Sequence, residues 1–258
     1  MIYKWNVTIP ALSGDTPRRG YVYLPEDYDK TRARYPVLYM FDGHNVFFDA
    51  DATYGKSWGM AAYLEQTKLP LIIVAIECNT QGFNRLNEYT PFPFDYKGMH
   101  FESRGKLYMD WLVEELKPAI DRDLRTLPDP ENTCIAGSSM GGLMSLYAVS
   151  AYNHIFRKAA CLSPSIWTNP EQVSAMLENA HFAPGTNVYL DYGSAELHNH
   201  SDILPGDGTV LPLLERACVQ LLQKNVHLSF RITPGGKHCE ASWEKQIPIF
   251  MACLGLTG

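Results

Sequence analysis

No stretch of this 258-residue chain approaches the roughly 20 consecutive apolar residues that a membrane-crossing helix requires. Its first ten residues, MIYKWNVTIP, also lack the basic start and apolar centre of a signal peptide, so a cytoplasmic location is expected. Basic clusters are missing too. With 22 Lys and Arg against 28 Asp and Glu, the formal net charge is -6, which argues against nucleic acid or an anionic membrane as partner. Paired cysteines are absent: Cys78, Cys134, Cys161, Cys218, Cys239 and Cys253 are scattered, with no C-x-x-C spacing, and several fall in apolar segments. That pattern excludes a disulfide frame and a zinc site and reads as buried, reduced thiols. No Pro/Gly/Ser-rich linker, charge block or repeat divides the chain, so one domain over 1–258 is expected. Oligomeric state is left open, a homo-oligomer included.

What is present is enough apolar material for a large core: 46% of residues are hydrophobic and 19% charged. IYKWNVTI, RGYVYLP and YPVLYMFD read as strands separated by polar or proline-containing turns. PLIIVAIE is a continuous apolar run of the kind buried on both faces of a parallel sheet. KLYMDWLVEELKPAIDRDL, residues 106–124, has apolar residues at helical spacing. TCIAGS, RKAACLSPS, TNVYLDYG and HLSFRITP continue the strand series, with helices expected over GGLMSLYAVSAYN and near 170–180, 208–224 and 240–254. Eight strands, the later ones alternating with helices, predict a mostly parallel eight-stranded α/β sheet covered by helices on both faces. In such sheets chemistry gathers at the carboxyl ends of the strands.

One of those ends carries Gly137-Ser138-Ser139-Met140-Gly141, a G-x-S-x-G nucleophile elbow between a strand and a helix. Glycines two places before and after the serine leave room for a turn that crowds backbone against backbone, and only Ser139 is flanked that way. Chance alone yields on the order of 0.1 such matches in a chain of this length, but the strand-to-helix setting sharpens the signal. A serine hydroxyl needs a base to take its proton. His238, on a glycine-containing loop after HLSFRITP, sits at the carboxyl end of a strand and is the candidate. The base needs a carboxylate to orient it, and DYGSAELHNHSD offers Asp191, Glu196 and Asp202. Glu196, just past the strand end, is best placed of the three. The oxyanion formed on attack needs backbone donors. Met140, directly after the nucleophile, supplies one, and His44 or Asn45 in the loop after YPVLYMFD supplies the other. His198, His200 and Asp202 spell H-x-H-x-D, a pattern that could hold a metal but reads better as a polar loop rimming the pocket, so neither metal nor other cofactor is expected.

These segments resemble the “putative esterase” family of α/β-hydrolases, the group containing esterase D, feruloyl and acetyl xylan esterases and siderophore trilactone esterases. The resemblance is carried by YPVLYMFDGHNVF, IIVAIE with NRLNEYTP, LVEELKPAIDRDLRTLPDPENTCIAGSSMGGLMSLYA, FRKAACLSPSIW and GGKHCEASWEKQIPIF, which together span most of the chain. It implies the α/β-hydrolase fold, with Ser139 as nucleophile, His238 as base and Glu196 as acid. It further implies that Arg85, Glu88, Tyr89 and Trp167 lie near the substrate. The expected activity is a serine carboxylesterase acting on small-molecule esters, such as acetyl or feruloyl esters of oligosaccharides. Siderophore trilactone hydrolysis and acyl transfer to an alcohol are the alternatives. A carbohydrate-binding module with a dead elbow is a third, which the intact Ser, His and acid set opposes.

Overall fold

The computed structural model describes residues 1–197 and 210–257. Eight strands form one sheet: β1 (Ile2–Val7), β2 (Arg18–Tyr23), β3 (Val37–Met40), β4 (Ile72–Ile76), β7 (Thr133–Ser138), β8 (Lys158–Leu162), β9 (Asn187–Gly193) and β10 (His227–Thr233). A separate hairpin is built from β5 (Phe94–Tyr96) and β6 (Met99–Phe101). Across the large sheet the order is β1-β2-β4-β3-β7-β8-β9-β10. β2 runs antiparallel to both β1 and β4, while the pairs from β4 to β10 are parallel, so the sheet is mixed and mostly parallel.

Alternation along each strand assigns side chains to two cores. Val37, Tyr39, Val74, Ile135, Cys161 and Leu190 point to one face, under the helices Met140–Ala151, Pro170–Asn179 and Val210–Gln223. Leu38, Met40, Ile73, Ala75, Ala136 and Leu162 point to the other, under Met60–Thr67 and Ile247–Cys253. The central strands β3, β4 and β7 are buried on both faces, which is why β3 and β4 read as unbroken apolar runs. The outer strands β1 and β10 have an exposed face and carry polar residues there. Among the described residues, no helix is long and apolar enough to cross a membrane.

Several elements depart from the sequence expectation. The helix over 106–124 is continuous from Gly105 to Asp123 but widens into a π-turn at Leu112–Leu116. Pro118 follows after Lys117, and its missing N–H leaves no donor for the regular ladder at that point. The stretch 240–254 divides into Glu240–Glu244 and Ile247–Cys253, with Pro248 in the first turn of the second helix. Helix Met60–Thr67 and the β5–β6 hairpin had no counterpart in the reading of the sequence. The hairpin strands have three residues each, too short for a periodic signal, and their turn is marked only by Lys97 (φ 49°) and Gly98 (φ 74°).

Register places the carboxyl ends of four strands side by side. Ser138 lies opposite Leu162, Leu162 opposite Asp191, and Gly193 opposite Thr233. The loops that leave β7, β8, β9 and β10 therefore start from one edge, and they carry Ser139, Ser163, Glu196 and His238.

Candidate active site

Ser139 occupies the turn between β7 and the helix Met140–Ala151, with φ 59° and ψ -122°, a conformation that costs a non-glycine residue about 1–3 kcal/mol. The turn is held by Ser139 N–H donating to Leu162 O at 2.9 Å and by Ser139 O accepting from Leu143 N and Ser165 N, each at 3.0 Å. The glycines explain why the chain can pass this point. A Cβ on Gly137 would lie 2.6 Å from the carbonyl carbon and oxygen of Gly141, and one on Gly142 would lie 2.6 Å from Leu162 O. Ser138, the neighbouring hydroxyl, is buried as the last residue of β7, whereas Ser139 is half-buried. Ser139 Oγ lies 3.4 Å from Ser165 Oγ and has no hydrogen bond to His238 in this rotamer.

His238 and Glu196 do meet. His238 Nδ1 is 2.7 Å from Glu196 Oε2, and Glu196 is buried in the short helix Ser194–Leu197. The other carboxylate oxygen, Oε1, accepts from Ser163 Oγ at 2.8 Å and from Gly193 N–H at 3.0 Å. Gly193 must be small: a Cβ there would stand 2.3 Å from Gly236 O and 2.6 Å from Glu196 Oε1. A carboxylate only accepts, so its contact assigns the imidazole proton to Nδ1 and leaves Nε2 with a lone pair.

Asp191, another carboxyl of the same segment, is also buried but turns elsewhere. Its Oδ1 accepts from Ser163 N–H at 3.2 Å and its Oδ2 from Thr233 Oγ1 at 3.4 Å. Burial raises the Asp191 carboxyl to about 7, with the nearby Glu196 charge adding to the rise and the Ser163 amide opposing it. Asp202 and the H-x-H-x-D segment lie outside the described residues.

The loop after β3 is built around Asp42, which adopts the left-handed conformation (φ 55°, ψ 49°). Arg85 grips it with two hydrogen bonds of 2.7 Å, Nε to Oδ1 and Nη2 to Oδ2, and Asp42 N–H donates to the Tyr89 hydroxyl at 3.2 Å. Burial pushes the Asp42 carboxyl up, but the guanidinium outweighs it and holds the group below its ordinary value. Asn45 N–H is spent on Asp42 O at 2.7 Å, and Asn45 Oδ1 accepts from Thr53 N–H at 2.9 Å. The His44 amide has no such partner, nor does that of Met140 at the helix start. The His44 imidazole is buried, which lowers its pKa and keeps it neutral, and its Nε2 contacts Thr53 Oγ1 at 2.9 Å.

The remaining expected residues divide between lock and wall. Arg85 holds the loop through Asp42, and Tyr89 is fully buried beneath it. Glu88 is buried and ion-paired with Arg18. Trp167 remains partly exposed, beside Ser165, with its ring 5.2 Å from that of Tyr96 in the β5–β6 hairpin. Asp42, His44 and Cys78 offer ligand atoms within 4.8 Å of one another. Both Asp42 oxygens already serve a guanidinium, and burial pushes the Cys78 thiol well up, so this donor set does not suit a cation. Ser163 and Trp243 were not singled out in the sequence, although they lie inside FRKAACLSPSIW and GGKHCEASWEKQIPIF, respectively.

A family profile described as “Putative esterase” matches residues 13–250. The chain is 28% identical over 184 residues, 69% of each chain, to YbbA, an uncharacterized protein of Bacillus subtilis (strain 168). Its fold is similar to that of an IroE-like serine hydrolase from Shewanella oneidensis, with a TM-score of 0.73 and 19% identity, covering 98% of this chain and 79% of that one. It is similar also to a ferulic acid esterase, with a TM-score of 0.64 and 18% identity, covering 100% and 98%. The chain belongs to the putative esterase family of α/β folds and is a carboxylic ester hydrolase.

Proposed function

From its place in the putative esterase family, we propose that the chain is a serine carboxylesterase with Ser139 as nucleophile, His238 as base and Glu196 as the acid that orients it. The observation that carries this reading is the 2.7 Å contact of Glu196 with His238 Nδ1, on the same sheet edge as the strained Ser139 turn. The reaction requires Ser139 Oγ to turn from Ser165 to His238, and such contacts often tighten only when substrate is bound. Ser139 Oγ attacks the ester carbonyl carbon while His238 Nε2 takes the hydroxyl proton. The resulting oxyanion is stabilised by the amides of Met140 and His44, neither of which is spent on an acceptor; Asn45, whose amide is engaged, is the weaker choice. Collapse breaks the C–O bond to the alcohol, which leaves with the proton from His238, and Ser139 keeps the acyl group. Water then attacks the acyl-enzyme by the same route, releasing the carboxylic acid and restoring the serine.

For the substrate, the reading is a small ester such as an acetyl or feruloyl ester of an oligosaccharide, supported by the likeness to a ferulic acid esterase and by partly exposed aromatic rings near Ser165. A siderophore ester is the second reading, favoured by the likeness to an IroE-like hydrolase. The test is Ser139→Ala, which should fold normally and lose hydrolysis of a short p-nitrophenyl ester by about 10⁶-fold. A panel of acetyl, butyryl, feruloyl and siderophore esters then ranks the substrates. Wild-type turnover by Ser139→Ala would end the proposal.

A further inference from the structure

Four side chains at this edge close into a circuit. Trp243 Nε1–H donates to Ser163 Oγ at 3.0 Å, Ser163 Oγ donates to Glu196 Oε1 at 2.8 Å, and Glu196 Oε2 accepts from His238 Nδ1 at 2.7 Å. The circuit returns through space, because the rings of His238 and Trp243 meet edge to face, with centroids 5.1 Å apart and planes at 82°. Ser163, Glu196 and Trp243 are all buried, so water does not compete for these bonds.

Donor inventory gives the chain of bonds one direction. An indole nitrogen can only donate, so Ser163 Oγ must accept from Trp243 and has its single proton left for the carboxylate. Glu196 Oε1 is thereby saturated by Ser163 and Gly193, and Oε2 is left to His238. Without the indole, the Ser163 hydroxyl is free to rotate and spend its proton elsewhere. Ser163 is itself pinned in the left-handed region (φ 42°) by its amide, which donates to both Asp191 O and Asp191 Oδ1.

We infer that Ser163 and Trp243 are positioning residues for the reaction: they fix the orientation and proton arrangement of the Glu196–His238 pair, and the Trp243 indole N–H acts only through the Ser163 hydroxyl. The inference rests on the triad reading above. Because the circuit joins residues from the ends of three strands and one helix, it couples the aim of the base to the packing of all four.

The experiment combines steady-state kinetics on a short p-nitrophenyl ester with the proton NMR resonance of His238 Nδ1–H, identified by its absence in His238→Gln. Ser163→Gly suits the positive φ and removes only the hydroxymethyl group, whereas Trp243→Phe keeps an aromatic ring and removes the donor. Loss of one hydrogen bond to a charged group predicts a kcat about 10- to 100-fold lower in Ser163→Gly, with KM within about 2-fold of wild type. Trp243→Phe should lose about 5- to 10-fold, and the double variant should be no worse than Ser163→Gly alone. Both single variants should shift or broaden the His238 Nδ1–H resonance. Additive losses in the double variant, or an unchanged resonance with wild-type kcat in Ser163→Gly, would overturn the relay. If Ser163→Gly does not fold, Trp243→Phe decides by the same two readouts. An active Ser139→Ala would instead overturn the triad reading, so the two failures are distinguishable.

Discussion

Replacing Arg85 by Met removes the guanidinium that holds both oxygens of Asp42 while keeping an apolar stem of similar length. Asp42 is 5% exposed, so its carboxylate would be left buried without a cationic partner. Breaking a buried pair in this one-sided way costs about 3–5 kcal/mol, and the 28% exposure of the Arg85 side chain reduces that to about 2–4 kcal/mol. For a chain of this size the loss corresponds to a fall in melting temperature of about 5–12 °C at pH 7. The pH dependence carries the sign of the argument. In the wild type the folded-state pKa of Asp42 is depressed, so its contribution is present above the unfolded carboxyl value and is lost only as pH falls through the lower folded value. In Arg85→Met burial outweighs the smaller influences of His44 and Cys78, the folded pKa lies above the unfolded one, and protonation relieves the unpaired charge as the pH drops. The stability gap between the two proteins should therefore narrow from pH 7 toward pH 4, measured by thermal unfolding across that range. A melting temperature within 1 °C of wild type, or a gap constant with pH, would refute the account of the Asp42 loop.

Three further outcomes follow from the same contacts. Ser139→Gly relieves the strain at φ 59° and should raise stability by about 1 kcal/mol in thermal unfolding while abolishing hydrolysis. Gly137→Ala puts a methyl group 2.6 Å from the Gly141 backbone, so it should destabilise by about 1–3 kcal/mol and slow turnover; unchanged stability would contradict the close approach of strand and helix. Asp191 has a raised folded-state pKa of about 7, so the stability it contributes is complete below the unfolded carboxyl value and is lost as pH rises through 7. Asp191→Asn should flatten that decline between pH 4 and pH 8 in denaturant titrations, and an unaltered pH profile would show that Asp191 does not titrate there.

Much of this architecture is legible in the sequence because burial imprints itself locally. The unbroken apolar runs of Val37–Met40 and Ile72–Ile76 come from strands covered on both faces, and the Gly137/Gly141 spacing comes from backbone crowding within five residues. The pairing of Glu196 with His238 could be anticipated because each follows a strand end on the same sheet edge. What stayed hidden depends on contacts between residues distant in sequence. Trp243 and Ser163 are 80 residues apart, and Arg85 and Asp42 are 43 apart. Glu88 and Tyr89 showed their charge and ring but not that both are buried supports, since burial in a loop leaves no periodicity. The loop after β3 was recognisable as the one proposed to hold the oxyanion, whereas the choice between His44 and Asn45 rests on a single turn hydrogen bond, Asn45 N–H to Asp42 O.

The central claim is that Ser139, and not its neighbour Ser138, is the nucleophile. Labelling the folded wild-type protein with a fluorophosphonate probe, followed by peptide mass spectrometry, tests it most directly. The account predicts one covalent adduct on Ser139, lost in Ser139→Ala and greatly slowed in His238→Gln. An adduct on Ser138, or no adduct on folded protein that hydrolyses esters, would contradict it.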